Sequence, residues 1–253
     1  MVTAKRPIAL TIAGFDPSGG AGVLADVRTF GEFGLQGSAA ITSITFQNSG
    51  GVFGAVHQPP EVVRAQIEPL LENSAIVCAK TGMLPTREVV REVARLFRET
   101  ELPRPVVDPV LWASSGQRLM EEDALAALIS DLIPLAQLVT PNILEAETLT
   151  ATKISSETDM RRAAIAIRKM GARAVLIKGG HLVSDAAIDV LDNDGEVTVF
   201  REQRITGAEL HGTGCILSAA IAAGLGKEMT LEDSVGAAKQ FVLQAIRKVV
   251  SAE

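Results

Sequence analysis

Short runs of β-branched and apolar residues alternate along this chain with longer stretches in which apolar positions recur every three or four residues. The short runs are Ile8 to Ala13, Ala39 to Phe46, Ile76 to Lys80, Pro105 to Val107, Leu138 to Thr140 and Ala174 to Lys178. Their composition predicts buried strands. Between them, Val62, Ile67, Leu70 and Leu71, and later Met160, Ala164, Ile167 and Met170, fall at helical spacing. Strands alternating with helices predict an α/β fold, with a mostly parallel central sheet and helices on both faces. Ala187 to Leu191 and Glu196 to Arg201 depart from this alternation. They flank Asp192-Asn193-Asp194-Gly195, a hairpin signal that predicts antiparallel edge strands near the C-terminus. No linker, repeat or long charge block divides the chain, so residues 1–253 read as one domain.

Composition narrows the function classes. The 253 residues, 47% hydrophobic and 21% charged, suffice for a full core. No run of ~18 residues is free of polar interruption, and Met1 to Pro7 lacks the apolar stretch of a signal peptide; both features predict a cytoplasmic chain without a membrane partner. A net charge of −6, with no basic cluster interleaved with aromatics, argues against nucleic-acid binding. The two cysteines, Cys78 and Cys215, lack metal-ligand spacing, and Cys78 reads as a buried strand thiol.

In parallel sheets, ligands bind beyond the carboxyl ends of the strands. Asp16 to Gly22, Gln47-Asn48, Thr81-Gly82-Met83, Asp108-Pro109 and Pro141-Asn142 all fall there. The glycines from Gly14 to Gly22 form neither a P-loop nor G-x-G-x-x-G, which leaves no nicotinamide-binding fingerprint. They serve either a flexible turn or a close backbone approach to a ligand. His211-Gly212-Thr213-Gly214-Cys215 precedes Ile216 to Leu225, which reads as a buried helix. The N–H groups of Gly212 to Cys215 would then face an anion such as a phosphoryl group, and the same field predicts a lowered pKa for Cys215. The rival reading is a tight turn followed by an ordinary core cysteine. Asn142 and Glu145, three residues apart, are either oxygen ligands for Mg²⁺ or a helix cap and its first-turn partner. Lys178 either meets ATP phosphates or is a solvated strand-end lysine. His57 and His181 read as loop residues.

Thr11-Ile12-Ala13-Gly14-x-Asp16-Pro17-Ser18-Gly19-Gly20-Ala21-Gly22, Gln47-Asn48, Lys80-x-Gly82-Met83, Val107-Asp108-Pro109-Val110, Thr140-Pro141-Asn142-x-x-Glu145-Ala146, Lys178-Gly179-Gly180-His181 and His211-Gly212-Thr213-Gly214-Cys215 occur in that order. The ordered set resembles the hydroxymethylpyrimidine/phosphomethylpyrimidine kinases of thiamine biosynthesis, nearly end to end. The resemblance implies a ribokinase-like fold, the use of ATP and Mg²⁺, and a homodimer. It implies that Gln47 bonds the aminopyrimidine edge, with Gly14, Ala21, Asp26, Met83 and Val110 shaping the pocket. It directs Asn142, Glu145 and Asp108 toward Mg²⁺, and Lys178, Asn142 and Thr213 toward ATP. Gly212, Thr213 and Gly214 match the anion hole, and Cys215 stands where many superfamily members carry an Asp base.

Phosphorylating a primary alcohol benefits from such a base, whereas phosphorylating the resulting monophosphate does not, because its attacking oxygen is already anionic. Phe15, Trp112, Ser114 and Ala208-Glu209-Leu210 depart from the family's usual pattern and bear on substrate preference. Two alternatives stand beside the pyrimidine kinase: a pyridoxal kinase, and a non-catalytic pyrimidine-binding regulator of the same fold.

Overall fold

The computed structural model describes residues 7–48, 50–73, 75–180, 186–203 and 211–250. Its strands are β1 (Ile8–Phe15), β2 (Gln36–Asn48), β3 (Gly51–His57), β4 (Ile76–Thr81), β5 (Val106–Val107), β6 (Leu138–Val139), β7 (Ala174–Lys178), β8 (Ala186–Asn193) and β9 (Glu196–Gln203). They form one sheet in the order β3-β2-β1-β4-β5-β6-β7-β8-β9. From β2 to β7 every neighbouring pair is parallel, while β3, β8 and β9 are antiparallel to their neighbours. The C-terminal hairpin lies where its turn signal predicts. At the other edge β3 adds an antiparallel strand that the sequence pattern did not announce, and His57, expected in a loop, ends it and bonds Ser43 Oγ through Nδ1 at 2.9 Å.

The helices are α1 (Gly22–Glu32), α2 (Pro60–Asn73), α3 (Arg87–Glu99), α4 (Glu122–Ala127), α5 (Ile143–Thr150), α6 (Glu157–Arg168), α7 (Thr213–Gly226) and α8 (Leu231–Val250). Local chemistry starts several of them: Thr86 caps α3 by accepting from Val89 N–H, and Ser156 caps α6 by accepting from Asp159 N–H. One face of the sheet packs on α2 to α6 through residues such as Ile67, Val93, Leu128, Ala146 and Met160. The other packs on α1, α7 and α8 through Phe30, Ala220, Ile221 and Val235. Helix α7 is apolar on every side, as a helix covered by both sheet and neighbouring helices must be. Its small residues let α8 come close: a Cβ on Gly224 would stand 2.7 Å from Ser234 Oγ. Among the described residues no helix is long and apolar enough to cross a membrane.

Strand β1 lies between β2 and β4, so the chain leaves it toward opposite sides of the sheet. Such a reversal opens a crevice at the carboxyl ends of the strands, where no helix covers the diverging loops. That crevice holds the candidate site.

Candidate active site

The loop from β1 to α1 is organised around one carboxylate. Asp16, 2% exposed, accepts from Ser18 N–H at 2.8 Å, Ser18 Oγ at 2.7 Å and Ala21 N–H at 2.9 Å. His211 Nε2 lies 3.1 Å from the same group, and because a carboxylate only accepts, that nitrogen carries the proton. Burial pushes the Asp16 carboxyl upward. The Gln47 amide, Ser18 and Ala21 N–H outweigh it and hold the group below the usual carboxylate range. Gln47, at the end of β2, is thereby joined to the glycine loop. Gly14 and Met83 meet beside it, for a Cβ on Gly14 would stand 3.0 Å from Met83 Sδ. Ala21 is the N-cap of α1, and Val110 lies part-buried two residues past Asp108.

Asp26, one turn into α1, is fully enclosed. Lys80 Nζ donates to both its oxygens, at 2.8 and 2.7 Å, and Thr11 Oγ1 donates to Oδ2 at 2.6 Å. Burial disfavours the Lys80 ammonium, but Asp26, Cys215 and Asp108 hold its pKa above the ordinary lysine value. The carboxylate of Asp26 therefore acts from beneath the pocket through Lys80.

Cys215 lies between this ring side and a second cluster. Gly212 is the N-cap of α7 with φ of 83°, a left-handed conformation that suits glycine, and a Cβ there would lie 2.1 Å from Gly20 O. The turn before α7 therefore packs backbone to backbone on the glycine loop, whose Gly22 N–H draws the Cys215 thiol downward. The expectation of a lowered thiol pKa is corrected here. Burial pushes Cys215 up to about 11, and the neighbouring Lys80 and the Gly22 N–H only partly offset the burial and the repulsion from Asp108 and Asp26. The helix terminus is present as predicted, but desolvation outweighs it.

On the far side of Cys215, Lys178 Nζ donates to Asp108 Oδ1 at 2.8 Å. A Cβ on Gly214 would stand 3.3 Å from that nitrogen, so the ammonium rests against the first turn of α7. Thr140 Oγ1 and Ser218 Oγ also donate to Asp108, at 3.1 and 3.2 Å. Asn142 and Glu145 form a reciprocal capping box at the start of α5, with Glu145 N–H donating to Asn142 Oδ1 at 2.9 Å and Asn142 N–H to Glu145 Oε2 at 2.8 Å. Burial, with repulsion from Asp108, raises the Glu145 carboxyl to about 7 against the attraction of Lys178. Two enclosed carboxylates thus face one ammonium. Thr213 begins α7 beside them.

The elements therefore bring together Gln47, Gly14, Ala21 and Met83 on one side of Cys215 and Lys178, Asp108, Asn142, Glu145 and Thr213 on the other. His181 and Ala208-Glu209-Leu210 lie outside the described residues. Trp112 packs against the core on the α3 side of the sheet. Sequence reasoning quoted Lys80 within Lys80-x-Gly82-Met83 but gave it no role, although it is a cation closing the apolar run Ile76-Val77-Cys78-Ala79. It also missed the joining of Asp16 to Gln47 and His211. A separate cavity of about 330 Å³, lined by residues such as Cys78, Arg104, Val106, Gln137 and Arg173, opens toward the amino ends of β5, β6 and β7, away from these groups.

A sequence model described as phosphomethylpyrimidine kinase matches residues 16–253. The chain is 42% identical over 240 residues to the hydroxymethylpyrimidine/phosphomethylpyrimidine kinase of Streptomyces coelicolor, an alignment covering 95% of this chain and 88% of that protein. The phosphomethylpyrimidine kinase of Clostridium difficile 630 superposes with a TM-score of 0.85 at 36% identity, covering 95% of this chain and 100% of the other. The pyridoxal kinase of Staphylococcus aureus in complex with AMP-PCP superposes with a TM-score of 0.88 at 32% identity, covering 96% and 89%.

Proposed function

The chain belongs to the phosphomethylpyrimidine kinase family, and from that premise we propose that it transfers phosphate from ATP to 4-amino-5-hydroxymethyl-2-methylpyrimidine and then to the monophosphate, in thiamine biosynthesis. The observation that carries this reading is the position of Cys215. The turn that presents it packs through Gly212 on Gly20 of the ring-side loop, while the residue just before it, Gly214, lies against the Lys178 ammonium.

In the first step the substrate's hydroxymethyl oxygen attacks the γ-phosphorus, its proton passes to Cys215 in its thiolate form, which becomes the thiol, and ADP leaves. The N–H groups of Gly212, Thr213 and Gly214 and the Lys178 ammonium receive the charge that develops on the phosphoryl oxygens. In the second step the attacking oxygen belongs to the monophosphate and carries no proton to remove. Gln47 holds the ring edge, with Gly14, Ala21, Met83 and Val110 around it.

The donor set on the phosphate side fits a divalent cation, since Asp108 and Glu145 outnumber Lys178 in a buried place and Asn142 adds a carbonyl oxygen. Mg²⁺ held there with the nucleotide supplies charge neutralisation on the phosphates. A homodimer is part of the same reading. Ile44, Phe46 and Val56 are about half-exposed on one side of the β2–β3 edge, and Phe53 beside them is 72% exposed. That apolar face suits a second copy of the chain, and Phe53→Glu is expected to shift the sedimenting species to monomer.

The test is an ATP- and Mg²⁺-dependent assay with hydroxymethylpyrimidine, resolving monophosphate and diphosphate by mass, with pyridoxal in parallel. Sequential appearance of both pyrimidine products is the expected result. Pyridoxal phosphate alone would move the chain to the activity named for its Staphylococcus aureus likeness, and no product from either would favour the regulator.

A further inference from the structure

With 30 acidic against 24 basic residues, an arginine in this chain has carboxylates to choose from. Most of the described arginines take one: Arg64 meets Glu92, Arg98 meets Asp131, Arg168 meets Asp192 and Arg201 meets Glu157. Arg104 and Arg173 have no carboxylate partner among the described residues. The Arg104 guanidinium reaches the Pro134 carbonyl at 3.4 Å, a neutral acceptor that leaves its charge unanswered.

Both side chains line the cavity of about 330 Å³ at the amino ends of β5, β6 and β7. Strand register brings them there. Val106 pairs with Leu138 and Leu138 with Ala174, so Arg104, Gln137 and Arg173, which lie just before those positions, gather at one end of the sheet. Backbone bonds hold that end in place, from Gln137 N–H to Pro105 O at 2.9 Å and from Arg173 N–H to Ala136 O at 3.2 Å. Ala79, Val106 and Ala222 are buried whereas Arg104 and Arg173 are exposed, so the apolar groups form the floor and the charges the rim. The end of α7 closes one side, for a Cβ on Gly226 would stand 2.9 Å from Cys78 Sγ. Burial pushes the Cys78 thiol up to about 12, so it stays neutral, and no carboxylate among the described residues lines the cavity.

A cavity of this size lies near the lower end of the ~300–1,000 Å³ range of small-molecule sites and has room for a ring or a short chain. Guanidinium forks match phosphate oxygens, and two positive charges answer the charge of about −2 on a phosphate monoester. We propose that this cavity is a second ligand site, which takes the phosphate monoester of a small aromatic or apolar alcohol, its body against Val106 and Ala222 and its phosphate between Arg104 and Arg173. The site is separate from the candidate active site: α7 carries both, and rises roughly 15 Å between Cys215 and Leu225. The proposal does not depend on the reaction assigned above.

The experiment titrates phenyl phosphate into ¹³C-methyl-labelled protein held in excess AMP-PCP and Mg²⁺, and follows the methyl signals of Val106, Ala222 and Leu225. The expected result is a saturable shift of these signals with a Kd of roughly 0.1–1 mM. Inorganic phosphate and phenol, each lacking one half of the ligand, should bind about tenfold more weakly or worse, and so should phenyl phosphate to Arg104→Ala or Arg173→Ala. Arg162→Ala, which removes an exposed cation from α6, is expected to leave the affinity within about twofold. The absence of a saturable shift would overturn the proposal. Binding of inorganic phosphate as tight as that of phenyl phosphate would also overturn it, by reducing the site to a basic patch, and equal binding of phenol would reduce it to an apolar crevice. Equal losses in Arg162→Ala and the rim variants would mark general electrostatics. The three-ligand comparison in wild type decides the matter even if a rim variant fails to fold.

Discussion

Two lysine–carboxylate pairs flank Cys215, and they are built differently. Beneath the ring loops, Lys80 and Asp26 are both fully enclosed, with Thr11 completing the carboxylate's contacts. One ammonium answers one carboxylate. On the phosphate side Lys178 is 15% exposed and Asp108 2%, and Glu145 adds a further buried carboxylate. A sealed, balanced pair is costly to break and indifferent to outside ions, whereas an open set with an excess negative charge attracts a cation and leaves its lysine able to meet phosphate. The first is a strut beneath the glycine loop, and the second is the set proposed above to meet phosphate.

The comparison can be broken most forcefully at the sealed pair. Lys80→Met removes the partner of the Asp26 carboxyl, which burial already pushes upward, and leaves that group unanswered in the interior, which should cost roughly 3–5 kcal/mol in urea unfolding. Adding Asp26→Asn should recover most of that loss. A fully stable single variant would mean that the pair is not sealed. At the open pair the effect moves from stability to turnover. Lys178→Met should slow both phosphorylation steps by roughly 10²–10³-fold, with a smaller stability loss than Lys80→Met, because Asp108 keeps the Thr140 and Ser218 hydroxyls. Equal stability losses at the two lysines would erase the distinction.

A pH series sharpens what the two pairs do to the thiol between them. The Cys215 thiol, pushed up to about 11, is protonated at neutral pH. The alcohol step should therefore rise with pH from 7 toward 10, by at most roughly tenfold per unit, while the monophosphate step stays nearly flat. Replacing both Lys80 and Asp26 with Met and Asn should move that rise to higher pH, because Lys80 is the strongest attraction lowering the thiol and Asp26 a weaker repulsion. A rise that moves to lower pH would contradict this arrangement.

Much of this was legible in the sequence where the information is local. β-branched runs located the parallel strands, Asp192 to Gly195 located the hairpin, and the glycines before Cys215 located the start of α7. Strand β3 escaped because its seven residues include two glycines and follow a strand read as ending at Phe46, whereas β2 continues to Asn48. The Lys80–Asp26 pair spans 54 residues, and no periodicity reports a partner at that distance. The pKa of Cys215 was misjudged for a related reason. The helix terminus is written in Gly212 to Gly214, but the burial that raises the thiol comes with packing against a distant part of the chain, as Gly212 packs on Gly20 nearly two hundred residues earlier.

The most direct test of the account is the rate of each phosphorylation step in Cys215→Ala, measured side by side by mass with saturating ATP and Mg²⁺. The account predicts loss of about 10²-fold or more in the alcohol step, with the monophosphate step within about threefold of wild type. Comparable losses in the two steps would contradict it, because Cys215 would then serve both phosphoryl transfers alike and not the removal of one proton.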